Sequence, residues 1–307
     1  MTGKEQFQQW ISRNDTNPNR YRVLIIALML GLAIWGLYLG WRYPCCHYIV
    51  ADTPWWRFWG YSLVNLGPEL AGIVIGVVII DALNDWRQSE QLKAQLIRQM
   101  GSPIKEVSIP AVRELAYHGW LQDGSLKWAN LQNARLEGAD LNGANLDGAN
   151  LAEAQLMGAN LVKTNLSKAM LRYANLEGAI LLDAQLKETV LRYANLEGAI
   201  LQGANLEGAD LWATRLNWAN LVRARLTDAR IANAQIEGAL MQHANLEGVD
   251  HLTRQHLRNA DSVNGAIMPD GVKLKDPFGL EPYLDGPTLE EWLATKPDCL
   301  VWEDEEE

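Results

Sequence analysis

The side chains able to do chemistry are few, and their spacing is poor for catalysis. His243, His251 and His256 are the clustered histidines, eight and five residues apart with no cysteine beside them. A zinc-type site needs imidazole or thiolate ligands converging on a tetrahedron. This spacing reads instead as ordinary surface or capping histidines. Cys45 and Cys46 are adjacent and Cys299 stands alone, too few for a disulfide scaffold. The adjacent pair reads as two unpaired thiols, with a strained vicinal disulfide or a link to a partner as the alternative. Glu69 is the third candidate, the single charge in the apolar run from Phe58 to Ile80. A carboxyl group in an apolar helix marks an ion path, a buried polar contact or a seam between helices. No glycine-rich phosphate loop, nucleophile elbow or H-E-x-x-H motif occurs, so no catalytic, cofactor-binding or metal residue is expected.

Composition narrows the field further. The chain has 307 residues, 48% hydrophobic and 21% charged, with a net charge of −10. These values exclude a collagen, a disordered chain and a polytopic channel. The charge is uneven: residues 1–120 carry +2, residues 121–250 carry −4 and residues 251–307 carry −8. With no basic stripe to release counterions, nucleic acid is not an expected partner.

The N-terminal third reads as a membrane hairpin. Val23 to Trp41 is a run of 19 uncharged residues, and Phe58 to Ile80 is a run of 23 with Glu69 its one charge; each is about one bilayer thickness of helix. Lys4, Arg13, Arg20 and Arg22 precede the first span and Arg87, Lys93 and Arg98 follow the second, while the connection holds only Arg42 and Arg57. That asymmetry places both termini in the cytoplasm. Gly36 and Gly40, and Gly72 and Gly76, form small-xxx-small pairs that allow close helix packing, and Glu69 shares the face of the second pair.

The repeat is the dominant signal. From Leu126 to Leu246 every fifth residue is apolar, 25 in succession, with Ile231, Ile236 and Met241 the exceptions to Leu. Two residues before each, the position is Ala except at Gly124, Thr164, Thr189 and Thr214. A period of five fits neither helix nor simple strand and means a solenoid. LRYANLEGAIL occurs at Leu171–Leu181 and again at Leu191–Leu201, so four fives make one turn. Units such as ANLEG, ADLNG and ANLDG resemble the pentapeptide-repeat family. The resemblance implies a mainly β fold, a right-handed quadrilateral β-helix with one pentapeptide per side. The stretch LIRQMGS with AVRELAYHGWLQDGSLKWANL also resembles the segment before the repeats in membrane-anchored members, many from photosynthetic bacteria.

Four fives per turn put every twentieth residue in one column. One column before the central Leu runs Asn130, Asn150, Met170, Val190, Asp210, Arg230; the column two faces away runs Asp140, Asn160, Ile180, Ile200, Asn220, Leu240. The middle coils are thus apolar where the family pattern prefers Asp or Asn. Tyr173 over Tyr193 and Arg172 over Arg192 adjoin the first column. Such a patch suits protein docking, with repeat drift by duplication as the bland alternative. The expected order is a cytoplasmic segment (1–22), a transmembrane helix hairpin (23–80), a juxtamembrane helix and N-terminal cap (81–120), the β-helix (121–250), and a C-terminal cap with acidic tail (251–307). Helices are expected at 82–100, at 110–118 and, from the capping box Thr288 and Glu291, up to Lys296.

Three functional readings follow. The first is a non-enzymatic scaffold or interaction subunit in the plasma or thylakoid membrane, docking a protein complex, photosynthetic or other, with homo-oligomerisation or membership of a membrane complex open. The second is an oligomeric channel or sensor built on Glu69. The third is a DNA mimic binding a topoisomerase, as the resemblance to gyrase-protecting members of the family suggests. The charge asymmetry makes a topological prediction. An impermeant thiol reagent applied to intact cells is expected to label Cys45 and spare Cys299. Labelling of Cys299 without Cys45 reverses the orientation.

Overall fold

The computed structural model describes residues 54–275 and 286–295, with side chains described from Gly76 onward. The chain divides into two compact units, Met1–Leu92 and Lys93–Glu307. In the first, the described residues form the start of one helix, α1 (Pro54–Met100). A junction near Ile80 was expected between a span and a juxtamembrane helix. The helix instead runs through, since no Gly or Pro interrupts residues 77–100.

The two-span hairpin is not borne out by the described residues. Among them, no helix is long and apolar enough to cross a membrane. From Gly76 on, only four residues precede Asp81, and Asp85, Arg87, Glu90 and Lys93 follow, so the described side chains hold no long uncharged run. The first span, with Gly36 and Gly40, lies outside the described residues, as do Cys45 and Cys46. Glu69 and Gly72 lie on α1 with side chains outside them. At Gly76 a Cβ would meet nothing within 4 Å among the described residues.

The second unit is a right-handed β-helix built on the five-residue pattern. From Leu131 onward the central apolar residue is buried, as is the Ala or Thr two before it from Ala134 onward, and the other three positions face outward apart from Gly148. Each side ends in a turn: Ala134 N–H donates to Leu131 O at 3.1 Å, and Asn133 between them has φ 59°. The left-handed corner recurs at the second residue after each Leu, as Gly138, Gly158 and Gly178 but also as Lys163, Tyr173 and Glu188. A side chain there costs on the order of 1 kcal/mol, so the closed turn is imposed by the stack and not by local preference. Because the turn takes most of each five, a side contributes one residue to pairing and not an extended strand.

That one residue bridges in parallel to the residue twenty later, as in Asn130 to Asn150 and onward to Met170, Val190, Asp210, Arg230 and Asp250. Its neighbours complete the ladder: Leu131 N–H donates to Asn150 O at 2.7 Å and Asn150 N–H to Ala129 O at 2.9 Å. The three threonines at Ala positions are also buried, and Thr164, Thr189 and Thr214 each donate their hydroxyl to a carbonyl of the preceding coil, Leu141, Leu166 and Leu191, at 2.8 Å. Buried hydroxyls need such partners.

Both ends of the lumen are closed. α2 (Lys105–Tyr117) starts five residues before the expected Pro110, because Val107 and Ser108 N–H both donate to Ile104 O and set the first turn ahead of the proline. Met100, Leu115 and Leu121 are buried in the same core as the first coil's leucines. Arg135 N–H donates to Ser102 O at 3.0 Å and the Ser108 hydroxyl donates to Arg135 O, so the cap occupies polar groups that an open edge would leave unpaired. Glu137 touches this junction: burial pushes its carboxyl up, but its own N–H, Arg135 and Lys105 outweigh that and hold it below the usual range.

At the other end the five-residue register stops near Asp250, yet the ladder continues from Leu240 to Ser262 and from Asn245 to Ile267. The offset grows from 20 to 22 because α3 (Arg254–Asn259) replaces part of a side. Thr253 and His256 form its capping box: Thr253 N–H donates to His256 Nδ1 and His256 N–H to Thr253 Oγ1, both at 3.1 Å. α4 (Leu289–Thr295) carries the expected Thr288–Glu291 box and buries Trp292 and Leu293.

A charge in a central coil tests the lumen. Leu186→Asp puts a carboxylate where Leu186 is 1% exposed with no partner to offset its desolvation. A fragment from Lys93 onward, which retains Leu96 and Met100 of the cap, is expected to melt cooperatively, and its Leu186→Asp variant to lose that transition.

Candidate interaction surface

The outward positions obey a chemical rule set by Asn. Where Asn precedes the central Leu, its Oδ1 accepts from the N–H two residues on and its Nδ2 donates to the residue one coil below. Asn150 shows both: Ala152 N–H to Oδ1 at 3.2 Å and Nδ2 to Asn130 Oδ1 at 3.3 Å. Asn160 over Asp140 and Asn195 over Asn175 repeat the contact. Met170, Val190, Ile180 and Ile200 interrupt two of these ladders, since an aliphatic side chain can neither accept nor donate.

The first interruption sits beside an aromatic corner. Tyr173 and Tyr193 stack with centroids 4.8 Å apart and planes 11° from parallel; Trp212 meets Tyr193 edge-on at 4.7 Å and 82°. The Arg172 guanidinium lies 5.1 Å from the Tyr173 ring centre and 5.9 Å from that of Tyr193. Arg192, which the sequence pairs with Arg172, instead binds Asp210 through Nε at 2.6 Å. Met170 at 47% exposure and Tyr173 at 49% are open to solvent, while Val190 is half-buried. The stack holds these side chains one coil apart before any partner arrives, so little entropy is lost on docking.

Ile180 and Ile200 are not part of this cluster. Their column bridges Asp140, Asn160, Ile180, Ile200, Asn220 and Leu240, two sides away around the coil. The candidate residues therefore form two surfaces. Sequence reading missed Trp212, although it continues the column of Arg172 and Arg192; only the ring contact with Tyr193 marks it. It also missed Trp128 and Trp218, whose indoles lie where a Cβ on Gly148 or Gly238 in the next coil would collide with them, at 2.2 and 2.3 Å. Glycine there serves as a floor as well as a corner.

Ion pairs elsewhere link coil to coil. Lys187 and Glu207 meet at 2.8 Å, and the contact raises the lysine and lowers the carboxyl from their ordinary ranges. Both are exposed, so the contribution to stability is small. Among the described residues no group of His, Cys, Asp and Glu is arranged to hold a metal ion, and His256 acts as a helix cap.

The ladder gives a stability prediction. Met170→Asn and Val190→Asn each restore an acceptor for the N–H two residues on, so their melting temperatures are expected to match or exceed the parent's. A loss of more than about 1 kcal/mol would show that the two residues are structural and not surface.

A family model of pentapeptide repeats matches residues 125–161, 149–181, 179–217 and 209–248. No curated protein matches the chain. Among solved structures, HetL, a pentapeptide repeat protein involved in heterocyst differentiation regulation from the cyanobacterium Nostoc sp. strain PCC 7120, is 35% identical, covering 48% of this chain and 75% of its own, with a TM-score of 0.29. A pentapeptide repeat protein of the Arabidopsis thaliana thylakoid lumen is 29% identical over 38% of this chain and 79% of its own, TM-score 0.26. QnrB1, a plasmid-mediated fluoroquinolone resistance protein, is 19% identical over 46% and 74%, TM-score 0.34. With the five-residue lumen pattern, the coil-to-coil bridges and the identity to HetL in agreement, the chain belongs to the pentapeptide repeat family.

Proposed function

We propose that the protein is a non-enzymatic interaction subunit, tethered to a membrane by residues 23–80, whose cytoplasmic rod docks a protein partner. The observation that carries the reading is the corner where exposed Met170, Tyr173 and Tyr193 meet half-buried Trp212, with Arg172 across the rings. Aromatic and Arg side chains dominate interface energetics. The lumen positions are filled by buried Leu and Ala, which argues against a substrate site in the rod. HetL acts in the regulation of differentiation, a role of the kind an interaction module fills. The tether rests on the two apolar runs and their flanking charges.

The DNA-mimic reading asks for a strongly negative rod. Residues 121–250 carry only −4, with 11 Lys and Arg among them, and pairs such as Lys187–Glu207 and Arg192–Asp210 neutralise carboxylates locally. The channel reading rests on Glu69 alone. The test is retention of co-purifying proteins by the full-length chain from its native membrane. Tyr173→Ala with Tyr193→Ala is expected to weaken retention at least about five-fold, as loss of a hot spot would. If that pair and Met170→Asn with Val190→Asn both retain partners fully, the corner is not the docking site.

A further inference from the structure

The side of the rod that bears Ile180 and Ile200 runs between two edges whose unpaired charges match each other. On the corner that ends this side, Lys163 and Arg223 stand sixty residues apart, which is three coils. Beside the corner that begins it, Glu177 and Glu237 are separated by the same sixty residues, and each lies fourteen residues after one of the cations. Among the described residues none of the four is in an ion pair. Glu197, between the two carboxylates, already holds Arg215. Asp183, between the two cations, is turned along its own column over Gly203. The strip between the edges is apolar in its middle coils, with Ile180 and Ile200 each 38% exposed and Leu182 and Val222 half-buried. The corner next to the carboxylates is bare where Gly158, Gly178 and Gly198 stack, since a Cβ on any of them would meet nothing within 4 Å. Next in that column Trp218 is 63% exposed, with its indole against Gly238.

We infer that this side is the interface of a homodimer in which two rods lie parallel, related by a two-fold axis along their length. Such an axis lays the cationic edge of one copy on the acidic edge of the other at the same height. Lys163 then meets Glu177 of the second copy, and Arg223 meets Glu237 of the second copy, each across about 3 Å of rise at the interstrand spacing. Trp218 stands on the coil of Arg223, so its indole offers the second copy's guanidinium a ring face. Asp183 comes against the bare glycine corner, and Ile180 packs on Leu182 of the second copy at the centre. A two-fold axis across the rods, which makes them antiparallel, sets cation on cation and carboxylate on carboxylate. The charges therefore select the parallel arrangement. The equal spacing is what names a second copy as the occupant: it presents opposite charges at the same three-coil interval and apolar side chains at the same step of about 4.8 Å. The aromatic corner of each copy, two sides away, stays open to an external partner.

Cross-linking of the full-length chain reads the arrangement. With Cys45→Ser, Cys46→Ser and Cys299→Ser as background, Val162→Cys and Gln242→Cys place single thiols toward the two ends of this side, and Val190→Cys places one on the opposite side. A short bismaleimide is expected to give at least about ten-fold more covalent dimer at 162 and at 242 than at 190, since apposed thiols react at a high effective concentration. In a mixture of 162 and 242 chains, each position is expected to link to its own kind. Glu177→Lys with Glu237→Lys is expected to lower the yield at 242 at least about five-fold, as like charges placed opposite one another would. Adding Lys163→Glu and Arg223→Glu to the same chain is expected to restore it. Ile180→Asn with Ile200→Asn is expected to lower the yield while leaving the melting temperature in place. Yields at 162 and 242 no higher than at 190, links between 162 and 242, or a four-residue charge exchange that fails to restore the dimer each overturn the inference. None of these readouts depends on the external partner, so they leave the aromatic-corner reading to its own test.

Discussion

The rod depends on one constraint, that each five-residue side must deliver a large apolar and a small residue inward while its backbone pairs with the coils above and below. Leu fills the lumen, Ala fits the crowded position two residues earlier, and both are buried from Leu131 onward. Once that packing is satisfied, the corner has to close in three residues, which forces the second residue after each Leu into a left-handed conformation. The stack supports that strain at Tyr173, Glu188 and others because neighbouring coils fix both ends of the turn. Thr164, Thr189 and Thr214 show how narrow the tolerance is. A hydroxyl enters the inner position only where it reaches a carbonyl of the coil before.

Such a core leaves the surface free to vary. Asn is the default before each Leu since it satisfies the next N–H and its counterpart a coil away. Giving up that arrangement for Met170 and Val190 on one side, and for Ile180 and Ile200 on the other, exchanges local hydrogen bonds for exposed apolar area. The exchange has a physical return only when something covers the area. The two sides differ in their surroundings, aromatic with paired charges on one and glycine-edged on the other.

A solenoid has two ends, and both are handled with local chemistry. The N-terminal cap supplies Ser102 and Ser108 to the polar groups of Arg135. The C-terminal end spends two extra residues on α3 and holds it by a box in which a histidine takes the usual acidic role. That box requires Nδ1 of His256 to accept a hydrogen bond. Metal-ligand arithmetic on histidine spacing therefore had nothing to find there.

Much of this was legible in the chain itself. A strict period of five with Leu and Ala in phase determines the lumen, because inward positions admit no other chemistry, and the recurrence of LRYANLEGAIL after twenty residues, with the family resemblance, makes the turn four-sided and assigns each surface residue to a column. The capping box of α4 was legible for the same reason, being local. Two things were not. The start of α2 depended on a turn forming ahead of Pro110, and the ladder's continuation past Asp250 depended on a two-residue insertion absorbed by a helix. The site was half legible: columns place Tyr173 over Tyr193, but the perpendicular contact of Trp212, the divergence of Arg172 from Arg192, and the bare glycine edge beside Ile180 arise between coils. Those contacts lie twenty residues apart in sequence and a few ångströms apart in space, and only the stacking of one coil on the next decides them.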